Sequence, residues 1–290
     1  IRKFREIQQI QEIQEFQEFQ EDIIETEDCW IFHKENFIIF KPDFNVSLEP
    51  YYRIFNTFNK IIFSNYNDWD LCIDSEQKQD NIKYLKNYNS SKFNYPIQLN
   101  KNLTHLIFGF SFNNTIELSD NILHLQFGHR FNKYIVLNKK LILLKVGDEF
   151  NQPIELNDVL EYLYLGNNYN EQITFNNSLI YLELGEFIHT QINLPNIKQL
   201  IINSNNKYVI DNLPESLEYL ELGFFCSLLL NNLPNQLKTI KIKYHNYNEE
   251  LNNLPDSLEF LHLPKKYAHE IKSIPKNLKI LKCDKSYRYQ

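Results

Sequence analysis

From residue 82 onward the apolar positions fall into two patterns that alternate along the chain. The first is L-x-x-L-x-L. It reads L-T-H-L-I-F from Leu103, I-L-H-L-Q-F from Ile122, L-I-L-L-K-V from Leu141, L-E-Y-L-Y-L from Leu160, L-I-Y-L-E-L from Leu179 and L-E-Y-L-E-L from Leu217. Looser versions begin at Ile82, Ile197, Leu237, Leu258 and Leu278, so the frame recurs about every 20 residues. The second pattern is F-N-x-x-I-x-L, from Phe93, Phe112, Phe131 and Phe150, with Tyr169 opening a fifth copy. F-N-Y-P-I-Q-L at Phe93 and F-N-Q-P-I-E-L at Phe150 are near-copies 57 residues apart. They are one half of a repeat, not a private binding signature.

The last two apolar positions of L-x-x-L-x-L are two apart, which puts both on one face of a strand. The Ile and Leu of F-N-x-x-I-x-L are also two apart and predict a second short strand facing back inward. All six glycines occupy the position just after the first pattern, Gly109 to Gly223, where a positive φ would turn the chain out of the strand. Prolines at L-P-x-x-L junctions (Pro214, Pro234, Pro255) suit a coil corner better than a sheet interior. One unit cannot bury its own apolar face, and stacked units share a continuous core. The expected fold is therefore mainly β: a single-superhelix solenoid of about eleven repeats, each with two short strands. Asn94, Asn113, Asn132, Asn151 and Asn170 follow the aromatic residue of each second pattern. Stacked at one level, their amides would satisfy buried backbone groups at the corner. The alternative is that Asn only tolerates turn dihedrals.

Ahead of the repeats, Ile10 to Glu21 is four tripeptides of an apolar residue followed by Gln-Glu. An apolar residue every third position drifts around a helix by about 60° per step and marks no single face. Residues 1–28 read as a low-complexity segment. Residues 29–81 carry aromatic and β-branched runs (C-W-I-F-H, F-I-I-F-K, N-K-I-I-F-S). They read as short strands, a cap for the open end and degenerate first repeats. The array itself is 82–290.

F-N-Q-P-I at Phe150 and L-E-Y-L-E-L-G at Leu217 resemble the FNIP repeat, a branch of the leucine-rich repeats found in slime moulds and in giant viruses of amoebae. The resemblance runs from Ile82 to the C-terminus. It implies a non-enzymatic protein-interaction solenoid, in the cytoplasm of an amoeba or of an infected host cell. Some relatives carry an F-box or kinase domain ahead of the repeats. The rival expectation is a substrate-recognition adaptor of a ubiquitin-ligase-type complex.

Composition narrows this further. The net charge of −7 has no strongly basic block, which argues against nucleic acid. Charges interrupt every apolar run, so no membrane span is expected. The absence of methionine suggests processing or truncation at the start. Cys29, Cys72, Cys226 and Cys283 form no C-x-x-C pair and suit a reducing compartment, with Cys226 and Cys283 expected as buried small hydrophobes. His105 and His124 share a frame position in adjacent repeats, but the column offers no third ligand, so exposed histidines are expected and not a metal site. No catalytic, cofactor or small-molecule site is expected. If the second and third apolar positions point inward, the residues before them leave the sheet's other face. That face is expected to be the protein-docking surface, centred on Tyr162, Tyr164, Tyr181, Glu183, Tyr219 and Glu221, with Tyr162, Tyr164 and Tyr181 exposed side by side. The competing explanation is that sheets favour Tyr for packing alone.

Overall fold

The structure, a computed structural model, describes residues 23–34, 36–63 and 91–289. The Gln/Glu tripeptides, Cys72 and the start of the first repeat at Ile82 lie outside the described residues. The chain is a mainly β solenoid of leucine-rich-like coils with few helical residues. It divides into two compact units, Ile1–Asn138 and Lys139–Gln290, each described by itself.

In the first unit the strands are β1 (Ile23–Glu25), β2 (Cys29–Phe32), β3 (Phe37–Phe40), β4 (Lys60–Phe63), β5 (His105–Ile107) and β6 (His124–Gln126). The first two pairings, β1 with β2 and β2 with β3, are antiparallel. From β3 to β6 every pairing is parallel. The runs around Cys29, Phe37 and Lys60 thus form strands where their composition predicts them. Ile38 and Ile61 stand level with Leu106, so this stretch carries the repeat's core position without its motif.

The second unit holds β7 (Leu143–Lys145), β8 (Tyr162–Tyr164), β9 (Tyr181–Leu184), β10 (Gln199–Ile202), β11 (Tyr219–Leu222), β12 (Thr239–Ile242), β13 (Phe260–His262) and β14 (Ile280–Lys282). All neighbours in this run pair in parallel and in one register, so Leu163 lies beside Leu182, Leu200 beside Leu220 and Ile240 beside Leu261. The expected leucine column is real. Leu106 and Leu125 in the first unit, and Leu144, Leu163, Leu182, Leu200 and Leu220 in the second, are each completely buried.

Behind the sheet the aromatic residue of the second pattern builds a ring stack. In the first unit Phe108 lies on Phe112 at 3.7 Å between centroids, and Phe127 on Phe131 at 3.6 Å. In the second unit Cys226 takes this level, fully buried as expected, and its thiol is pushed up to about 11 by burial. Such a thiol is a weak nucleophile at neutral pH.

Two expectations are corrected. The F-N-x-x-I-x-L stretches turn Phe112 and Ile116 inward, but the described ones form no strand ladder. Side chains hold them instead. The Asn113 amide N–H donates to Oδ1 of Asn94 (2.9 Å) and that of Asn132 to Asn113 (3.0 Å). In the second unit Asn170 repeats the bond to Asn151 (2.8 Å). The asparagine ladder therefore exists, although its corner is part-exposed where the sequence reading expected it buried. Side chains bridge unlike distances between coils more readily than backbone does, so a two-stranded coil is unnecessary.

The glycines are the second correction, since none of those described has positive φ. What they permit is close approach. A Cβ on Gly166 would stand 1.9 Å from the carbonyl oxygen of Gly147, and one on Gly128 2.0 Å from that of Gly109. At Gly128, Gly166 and Gly185 the coils touch backbone to backbone, which leaves no room for a Cβ, whereas Asn203 and Lys243 hold this position in later coils.

A further asparagine set, not recognised from the sequence, sits three residues before the frame. Asn138 donates to the carbonyls of Ser119 and Ile122, and Asn176 to those of Asn157 and Leu160. In later coils a proline turn replaces it. The N–H of Leu217 bonds the carbonyl of Pro214 (3.1 Å), and Ser216 Oγ reaches back to Ile197 (2.8 Å).

Leu163→Ala is expected to cost about 2–5 kcal/mol in chemical denaturation, as for a core leucine. Gly166→Ala is expected to cost about 1–3 kcal/mol, as for overpacking. A loss below about 1 kcal/mol for either variant contradicts the stacking described here.

Candidate functional site

The register that buries the leucines also sets two columns on the opposite face of the second unit's sheet. One runs Leu143, Tyr162, Tyr181, Gln199, Tyr219, Thr239, Phe260. The other runs Lys145, Tyr164, Glu183, Ile201, Glu221, Lys241, His262. All six candidate residues lie in these two columns, so they do share one face.

Their exposure differs from expectation. Tyr162, Tyr219 and Glu183 are half-buried, but Tyr164, Tyr181 and Glu221 are only 3%, 4% and 5% exposed. Parity was right, and what it omits is ring size. Strands about 4.8 Å apart are closer than a tyrosine ring is long, so rings lean onto the neighbouring coil. Tyr164 and Tyr181 meet at 4.8 Å between centroids, and Tyr162 and Tyr181 at 6.3 Å. In place of the expected row of three exposed tyrosines there is a small second core, with Tyr162 at its rim.

Carboxylates are held inside this layer. The Tyr181 hydroxyl donates to Glu183 (3.2 Å), and the Tyr219 hydroxyl donates to Glu221 (2.7 Å). Each pair is two residues apart on one strand, hence on one face. Asn203 adds a weaker donor to Glu183 (3.4 Å), and the Lys243 ammonium pairs with Glu221. Burial pushes the Glu183 carboxyl above its usual range, outweighing the Lys145 charge and the Tyr181 hydroxyl, which favour the anion. Burial likewise pulls the Lys145 ammonium down, against the attraction of Glu183. These charges are costly in place and are retained in a network of partners.

Lys241 is a further residue of this face, not among the six candidates. Its Nζ lies 5.0 Å above the Tyr219 ring and 5.9 Å from that of Phe260. The signal was available, because Lys241 follows Glu221 one coil on in the same column. Tyr162, Tyr219, Lys241 and Phe260 are half-buried on this face, as are Leu143, Lys145, Glu183, Gln199, Thr239 and His262.

In the first unit the His105 and His124 rings meet at 4.2 Å between centroids, tilted by 59° to each other. They are half-buried, where exposure was expected, with Lys60 of β4 level with His105 on the next strand. Thr104 Oγ1 lies 2.8 Å from Nδ1 of His105. Burial pulls His105 down to about 3, with His124 adding repulsion, and pulls His124 down to about 4. Among the described residues no three metal-ligating side chains gather. No described helix is long and apolar enough to cross a membrane.

No family model and no curated protein matches the chain. Among solved structures it is similar to CroV588, described as a novel circular leucine-rich-repeat protein. The TM-score is 0.66 with 24% identity, over 93% of this chain and 42% of that one. The chain spans less than half of that protein's length, and likeness at this identity shows the fold alone.

The histidine pair yields a signed pH dependence. Both rings stay neutral in the folded chain below pH 6.5, where the unfolded chain takes up protons. Their contribution is present above pH 6.5 and lost as pH falls through about 4 to about 3. The melting temperature of the wild type is expected to drop more steeply from pH 6.5 to pH 4 than that of His105→Gln/His124→Gln. Parallel slopes would show that these rings are well hydrated.

Proposed function

We propose that the chain is a non-enzymatic protein-interaction scaffold of FNIP-type repeats, acting in the cytoplasm of an amoeba or of a cell infected by a giant virus. The observation that carries it is the free face of the second unit. There the half-buried Tyr162, Tyr219, Lys241 and Phe260 stand in strand register over the packed layer of Tyr164, Tyr181, Glu183 and Glu221. Aromatic side chains with few rotors lose little entropy on binding, and here the layer beneath already fixes them. Surfaces of this kind, an aromatic centre with fixed charge at its edge, are where binding energy concentrates. The leucine-rich-like fold suits this role, as does the burial of Cys226, which leaves that thiol out of chemistry.

The six residues named from sequence divide into two tasks in this reading. Tyr162 and Tyr219 meet the partner. Tyr164, Tyr181, Glu183 and Glu221 hold them in place.

Tyr162→Ser/Phe260→Ser is expected to leave the fold intact and to weaken a captured partner by about 2 kcal/mol or more. Tyr181→Ser is expected to lower the melting temperature instead. The paired measurement is thermal melting and affinity capture from amoebal lysate with mass spectrometry. An unchanged set of captured proteins removes this face, while enrichment of ligase-core subunits moves the reading to the adaptor.

A further inference from the structure

The later coils of the second unit differ in charge from the rest of the chain. From Leu237 onward the sequence carries eleven Lys and Arg against six Asp and Glu, in a chain of net charge −7. Several of these cations are matched across coils. Lys238 meets Glu218, Lys272 meets Glu250, Lys276 meets Asp256 and Lys279 meets Glu259.

The sheet face that carries Tyr219 and Phe260 is arranged differently. There the register sets Lys241 of β12 beside His262 of β13, and His262 beside Lys282 of β14. The adjoining column of the same face runs Thr239, Phe260 and Ile280. A basic row thus lies against a row of mostly apolar side chains.

The carboxylate next to Lys241 is already engaged. Glu221 stands level with Lys241, but its Oε2 accepts from the Tyr219 hydroxyl and its Oε1 meets the Lys243 ammonium. Lys241 lies over the rings of Tyr219 and Phe260 instead, at 5.0 Å and 5.9 Å. Burial pulls the His262 imidazole below its usual range, Lys282 and Lys241 pull it further, and Glu221 only partly offsets them. Like charges set side by side on a sheet face destabilise it. An anion laid across this row relieves that repulsion.

The row is short, and Glu221 bounds it on one side. A nucleic-acid backbone gains its affinity by neutralising many phosphates, and the row offers few cations. Carboxylates interleaved with apolar side chains match both rows at once. We propose that this end of the face binds an acidic segment of the partner, its carboxylates on Lys241, His262 and Lys282 and its apolar side chains against Phe260 and Ile280. The inference rests on the partner-binding reading of this face and adds the chemistry of the partner. Such complementarity sets specificity and encounter rate, and its long-range part is screened by salt.

The test is fluorescence anisotropy with a labelled peptide of Asp, Glu and Leu. A peptide of Asn, Gln and Leu and a single-stranded RNA, both of the same length, serve for comparison. The wild type is expected to bind the acidic peptide about tenfold or more tightly than the neutral one, and less tightly as salt rises. Lys241→Glu/Lys282→Glu is expected to weaken binding about tenfold or more. Lys265→Glu/Lys266→Glu makes the same change of charge outside both columns and is expected to leave binding as it was. Melting curves confirm that each variant is folded, and Lys241→Gln/Lys282→Gln replaces the first variant if it melts early. Equal affinity for the acidic and neutral peptides overturns the proposal. So does equal loss from the two lysine pairs, and tighter binding of the RNA moves the site to nucleic acid. Capture from amoebal lysate separates this inference from the broader reading. If Lys241→Glu/Lys282→Glu keeps every partner that Tyr162→Ser/Phe260→Ser loses, the acidic segment is overturned and the docking face stands. A wild type that binds the acidic peptide but captures nothing supports this site and counts against the scaffold.

Discussion

Everything in this molecule depends on one spacing. A coil of about 20 residues has an apolar face it cannot bury, and the only cover on offer is the next coil, about 4.8 Å away. That distance is set by backbone hydrogen bonds between parallel strands. Every side chain that stacks on it must either fit the spacing or exploit it. Leucine fits, giving the column through Leu163 and Leu182. Phenylalanine fits by lying flat, as Phe127 does on Phe131. Asparagine exploits it, since its amide reaches one coil and no further. At the glycine corner even a methyl group is too much.

The repeat lets the core be read from sequence almost completely. Spacing alone placed the leucines inward and the six candidate residues on the opposite face. A period leaves little freedom once one position is known to point inward. Parity along a strand says which side a residue leaves, but nothing about how far its atoms then travel. Tyr164 and Tyr181 show the gap. They leave the leucine side as expected, and their rings then fold onto one another, so the face they were to expose is closed. Exposure depends on side-chain length against strand spacing, which a pattern of apolar and polar letters does not contain.

The glycines show a different gap. Their common position was plain, but two physical causes produce the same residue: freedom of φ and lack of a Cβ. Sequence cannot separate them. The close contact between Gly147 and Gly166 can, and it selects the second. The asparagines three residues before the frame were missed for a related reason. Ser119 interrupts the series between Asn100 and Asn138, and a proline turn takes over its task in later coils. A function shared by three residue types leaves no single-letter trace.

One exposed column bears on how such an array grows. At the position after each frame start the later coils carry Lys198, Glu218, Lys238, Glu259 and Lys279, alternating in sign. Neighbours pair across coils, with Lys238 at 2.6 Å and Lys198 at 3.9 Å from Glu218, and Lys279 at 2.6 Å from Glu259. Each exposed pair contributes little, about 0.2–1 kcal/mol. The alternation nevertheless gives the array a parity. Loss of one coil sets Lys beside Lys or Glu beside Glu, whereas loss or duplication of two adjacent coils leaves every neighbour opposite in sign. Over these five coils the charge pattern is kept by steps of two coils, twice the structural repeat.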